Sequence, residues 1–153
     1  MTSIEDLVDS LRSDDVDPDL LWRVGDLLTR WLAVQSGGRM VGYGPEVMDV
    51  ELKDADIEAV HGALRALVED GLSHPHAATI VWLLGKLARP ADQNLFEHAL
   101  ERGLDDRDDL LYQALIALDN LGELAADATS FAAFDVDTNR ALARAYLDRV
   151  ADG

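Results

Sequence analysis

The chain has 153 residues, 48% of them hydrophobic, enough for one folded domain with a real core; a disordered polymer is excluded. Cysteine is absent, which excludes disulfides, thiolate metal sites and cysteine nucleophiles. The formal net charge is −17, with 16 acids and 6 bases over residues 1–76 and 14 acids and 7 bases over 77–153, so the deficit is spread along the chain and not held in a tail.

The pattern predicts four pairs of helices. Thr2 and Glu5 stand at capping-box spacing ahead of an apolar face of Ile4, Leu7, Val8 and Leu11. Asp17-Pro18 reads as an N-cap followed by proline in the first helical position, and opens a second helix. That helix carries Leu20, Leu21, Val24, Leu27, Leu28, Trp31 and Leu32 and stops near Gly37-Gly38. Residues 36–53 lose the helical period and hold Gly37, Gly38, Gly42, Gly44 and Pro45, so they read as a loop insertion of a length often tied to function. The second pair starts at Asp54, with a stripe of Ile57, Val60, Leu64, Leu67 and Val68 and a stop at Gly71. Its partner opens at His74-Pro75, carries Ala77, Ile80, Val81, Leu84 and Leu87, and ends before Pro90. The third pair is expected over about 91–103 and 108–121, the fourth over about 123–133 and 138–151.

Two stretches repeat. Glu69-Asp70-Gly71-Leu72 is matched by Glu101-Arg102-Gly103-Leu104 at an offset of 32, and Ile80 to Leu87 by Ala114 to Leu121 at an offset of 34. Two helices per 32–34 residues mark an α-solenoid, in which each hairpin buries its apolar face only against its neighbours. With Ala77-Ala78, the closing Leu84-Gly85-Lys86-Leu87, the acidic Asp108-Asp109 turn and Leu118 to Gly122, residues 54–151 resemble HEAT repeats. The arginine usual near the start of the second helix is missing at positions 76 and 110, and Arg140 comes closest to it. The resemblance implies an all-α fold: a short right-handed α-α superhelix of about eight helices, forming one domain over 1–153 with the insertion at 36–53. A non-repetitive helical bundle with chance similarity is the alternative.

Chemistry-bearing residues are sparse. Asp15, Asp17 and Asp19 alternate, as do Asp135 and Asp137, but the EF-hand glycine and glutamate are missing: Leu20 and Asp26 stand in their places. These acids, and the cluster Asp105-Asp106-Arg107-Asp108-Asp109, are expected at helix starts, where carboxylates cap free N–H groups. His74 and His76 invite a metal, with the 105–109 turn as the only further ligand source; the opposing reading is a turn and a surface histidine. His98 stands in a single reversed Glu97-His98 pair, not the repeated His-Glu pairs by which a HEAT-repeat hydroxylase family binds iron. Residues 37–45 lack the Gly-Lys-Ser/Thr of a P-loop, and none of the six serines lies in Gly-x-Ser-x-Gly. No cofactor and no catalytic residue is expected.

In HEAT-like stacks the second helices line a concave face. The residues expected there are Thr79, Trp82 and Lys86; Gln113, Ile116 and Asn120; Arg23, Asp26 and Arg30; and Leu142, Ala145 and Arg149. Tyr43 in the loop is a further contact residue. Trp82 is the expected anchor, because Trp and Arg are enriched among binding hot spots, although packing between hairpins accounts for it as well. The acidic surface repels phosphate backbones and anionic lipid, so nucleic acid and membranes are not expected partners, while a basic protein is. Solubility, a GC-rich genome or a salt-adapted source explains the charge equally well, for Asp outnumbers Glu by 22 to 8 and Arg outnumbers Lys by 11 to 2. No apolar run approaches the ~20 residues of a membrane span. The first ten residues are acidic, unlike a secretory signal, which points to the cytoplasm. The expected function is a non-catalytic protein-binding module, in its sharper form an acidic inhibitor or immunity protein. The alternative is a metal-binding protein or metalloenzyme using His74, His76 and the 105–109 turn.

Overall fold

The computed structural model describes residues 4–13, 16–35, 53–69, 71–124 and 135–152. They form seven α-helices and one short 3-10 turn, with no strand among the described residues. The expected all-α class holds. The chain divides into two compact units, Met1–Ala66 and Leu67–Gly153.

In the first unit, α1 (Ile4–Leu11) buries Leu7, Val8 and Leu11 and packs on α2 (Pro18–Gln35). The start of α2 follows from its sequence: Asp17 Oδ1 accepts the Leu20 backbone N–H at 2.8 Å, and Pro18 has no N–H that needs a partner. Leu20, Leu21, Val24, Leu27 and Leu28 form its buried stripe. Each such side chain contributes ~1.5–3 kcal/mol on full burial. The third helix, α3 (Asp54–Val68), whose last two residues fall in the second unit, opens with Asp56 Oδ2 accepting the Lys53 N–H at 3.1 Å and buries Ile57, Val60, Ala63, Leu64 and Val68. It ends at Val68, three residues ahead of the expected stop Gly71, whose φ of 110° only glycine adopts freely. The expected cap Thr2, the 36–52 stretch with Tyr43, and most of the expected helix 123–133 lie outside the described residues.

The second unit holds α4 (Ala77–Leu87), the 3-10 turn Pro90–Asp92, α5 (Gln93–Asp106), α6 (Asp108–Asn120) and α7 (Val136–Asp152). Two boundaries depart from expectation. The helix expected to open at His74-Pro75 begins at Ala77: His74 precedes proline and so avoids helical backbone, and its Nδ1 accepts the His76 N–H at 3.0 Å, closing a turn. The helix expected to stop near Gly103 runs on to Asp106. There Gly103 is a buried interior residue, and a Cβ placed on it would sit 2.7 Å from the Leu111 backbone N. Its lack of a side chain lets α5 and α6 close against each other, and does not end the helix.

Three helices of this unit run parallel, as their cross-links show. At the leading ends, Arg107 Nη1 donates to the Leu72 carbonyl at 3.4 Å and Arg140 Nη1 to the Leu104 carbonyl at 2.7 Å. At the trailing ends, Asn120 Nδ2 donates to the Gly85 carbonyl at 3.2 Å and Arg149 Nη2 to the Glu123 carbonyl at 2.6 Å. Hence α4, α6 and α7 point the same way, with α5 antiparallel to them. Gly85 allows the α4–α6 approach, since its Cβ would lie 2.9 Å from that of Ala117. Ile80, Val81, Leu84 and Leu87 of α4, with Ala114, Leu115 and Leu118 of α6, supply the core between them.

Candidate partner-binding face

On α4 the buried stripe leaves Thr79, Trp82 and Lys86 at helical spacing on the opposite side, all half-buried. Lys86 Nζ lies over the Trp82 ring, 4.7 Å from its centroid, a cation–π pair one helical turn apart. On α6, Gln113, Ile116 and Asn120 share a side; the first two are half-buried and Asn120 is exposed. The Asn120–Gly85 hydrogen bond links this side of α6 to the end of α4 that carries Lys86. Gln113 Oε1 is buried without a hydrogen-bond partner among the described residues. Of the residues expected on α7, Leu142 is half-buried, Ala145 exposed, and Arg149 stacks 5.2 Å from the Tyr146 ring while it caps Glu123. Arg23 and Asp26 are exposed and Arg30 half-buried on α2, in the first unit.

The acidic groups divide by position. Asp17 and Asp135 cap helix starts; Asp135 Oδ1 accepts the Thr138 N–H at 3.1 Å, and hydrogen bonds from the Thr138 hydroxyl and backbone hold its carboxyl below the usual range. The 105–109 cluster does not act as one cap. Asp105 and Asp106 occupy the last turn of α5, at the negative end of its dipole, and only Asp108 and Asp109 open α6. Arg140 bridges Asp108 at 2.8 Å, and Arg107 lies 3.7 Å from Asp109. The two histidine rings are 5.7 Å apart, and His74 Nδ1 is engaged by the His76 N–H. Burial, then the charge of His76, lowers the His74 pKa below 6.5. Among the described residues no group of three His, Cys, Asp or Glu side chains converges to hold a metal.

Sequence reasoning missed two features. Tyr146, only 3% exposed, donates its hydroxyl to Glu97 Oε2 at 2.6 Å and accepts from Gln93 Nε2 at 3.3 Å, tying α7 to the start of α5. Burial and the Glu97 bond push its phenol up to about 12. Nothing local in the sequence announces this pairing, because its members stand 49 and 53 residues apart. The second is Trp22, 59% exposed on α2. Its signal was available: position 22 falls off the Leu20–Leu21–Val24–Leu27–Leu28 stripe, so the ring has no core to enter.

Comparison with protein-family models, with curated proteins and with solved structures finds no match to this chain.

Proposed function

We propose that this chain is a non-catalytic protein-binding module of HEAT-like hairpins, acting in the cytoplasm on a basic partner protein, in its sharper form as an inhibitor of that partner. The observation that carries the reading is the spacing of the cross-links in the second unit. Leu72 and Leu104, 32 residues apart, each accept an arginine from farther along the chain, Arg107 and Arg140, which are 33 residues apart. One contact recurring at the period of the sequence repeat is what a stack of equivalent units produces. The parallel row α4, α6, α7 fits the second helices of such a stack. Its α4 and α6 present Trp82, Lys86, Gln113, Ile116 and Asn120 on a side with no carboxylate among those five, while the chain as a whole carries −17. An aromatic anchor on a less acidic strip inside an acidic surface suits a basic protein, steered by charge and held by desolvated contacts.

The test is capture of binding proteins at ~50 mM and ~500 mM salt, with wild type and Trp82→Ala, followed by identification of what is retained. A basic protein retained at low salt, and lost both at high salt and with the variant, is the expected result. Retention indifferent to salt and to Trp82 refutes the reading.

A further inference from the structure

We infer that α7 is a strap: it undocks from α5 and α6 as one unit while α4, α5 and α6 stay folded. The inference holds whichever partner the chain binds. It rests on what α7 buries and on how α7 is held. Over 17 residues α7 buries Asn139, Ala143 and Tyr146, a stripe in which one small apolar side chain lies between an amide and a phenol. Its larger aliphatic side chains contribute less: Val136, Leu142 and Leu147 are half-buried and Val150 is exposed. By contrast α6 buries Leu110, Leu111, Ala114, Leu115, Ala117 and Leu118 within 13 residues. The 11 residues of α4 bury Ile80, Val81, Leu83, Leu84 and Leu87. Apolar burial stabilises in proportion to its area, so this term holds α7 least among the α-helices of the second unit.

Side-chain hydrogen bonds hold it instead. Arg140 donates to the Leu104 carbonyl and to Asp108, Arg149 to the Glu123 carbonyl, and Tyr146 to Glu97. These bonds are exposed or part-buried, so water can take the place of each donor when α7 leaves, and the net loss per bond is small. Gln93 and Glu97, which Tyr146 would release, already bond each other at 3.3 Å. The apolar stripes of α4 and α6 have no such substitute in water. Opening at α7 therefore costs less than unfolding the helices beneath it, the ordering expected of a separate cooperative unit.

The test is native-state amide hydrogen exchange of the full chain, followed by NMR at rising urea below the unfolding transition. Amides of residues 143–147 should exchange at least about tenfold faster than those of 80–84 and 114–118, and with a weaker dependence on urea. Two kinds of variant separate undocking from global unfolding. Ile80→Val thins the α4 core and should speed exchange in α4 and α6 about two- to tenfold. It should leave α7 unchanged, because the undocked state loses the same contact. Arg140→Ala should speed α7 exchange about tenfold, and Tyr146→Phe about two- to tenfold. If residues 143–147 exchange at the rate of α4 and α6 and follow Ile80→Val, the strap does not exist. Protection that falls smoothly from Asp152 inward is end fraying and overturns the inference. Exchange in α7 that is indifferent to both Arg140→Ala and Tyr146→Phe overturns it as well.

Discussion

Replacing Gly103 by alanine opposes two effects whose sizes the structure fixes. In an exposed helix interior, glycine to alanine is favourable by ~0.8–1 kcal/mol. Gly103 is not exposed: the added methyl would stand 2.7 Å from the Leu111 backbone N and 2.8 Å from its Cα and Cβ. Two of those three atoms are backbone, so no rotamer change relieves the overlap and α5 must shift away from α6. Overpacking of this kind costs ~1–3 kcal/mol even after relaxation. Gly103→Ala should therefore lower Tm, by ~2–4 °C per kcal/mol for a chain of this size. Gly62 is the internal control. It lies exposed within α3 with nothing within 4 Å of an added Cβ, so Gly62→Ala should raise stability by ~0.5–1 kcal/mol. Urea and thermal melts followed by circular dichroism at 222 nm measure both. A Gly103→Ala protein as stable as Gly62→Ala would mean that α5 and α6 do not meet as closely as described, and the α5–α6 hairpin would have to be redrawn.

Arg140→Ala removes the donor to Leu104 and the Asp108 bridge; we expect a loss of ~1–2 kcal/mol, with a double-mutant cycle against Asp108→Ala returning less than ~1 kcal/mol because that pair is partly exposed. Tyr146 should titrate near 12 in an ultraviolet phenolate titration, and the transition should vanish in Tyr146→Phe. Since its folded pKa is raised from 10, its contribution to stability is fully present below pH 10 and fades as pH rises through about 12, which denaturation at successive pH values will follow. His74, with its folded pKa lowered, contributes stability that is present above pH 6.5 and lost on acidification below it; an NMR titration giving His74 a value above 6.5 contradicts its burial beside His76. Ala88, at φ 49°, closes α4 in the left-handed region, so Ala88→Gly should stabilise by ~1 kcal/mol in the same melts.

Much of the helix layout was legible because its signals are local. Asp17-Pro18 names the start of α2, Gly71 the end of α3, and the 3.6-residue stripes name the buried faces. The failures are non-local. Gly103 and Gly71 sit in matching tetrapeptides, yet one lies inside a helix with Leu111 pressed against it and the other in the turn beyond one, at φ 110°. The Asp105–Asp109 run reads as a single acidic cap, but the extension of α5 splits it between one helix end and the next helix start. Which side of α4 and α6 the core leaves over was legible from the 3.6-residue stripe. Trp82 turned out half-buried, with Lys86 across its ring, while the more exposed tryptophan was Trp22, which no motif marks. The cross-links made by Arg107 and Arg140 lay beyond sequence reasoning, since each joins a side chain to a carbonyl 35 or 36 residues away.

The most direct test of the central claim is the association rate of this protein with its captured partner, measured by stopped flow from ~10 mM to ~500 mM salt. A surface of this charge meeting a basic one should lose at least about tenfold in association rate across that range, with the dissociation rate changing far less. An association rate that stays flat across the series would contradict recognition of a basic partner by this acidic chain.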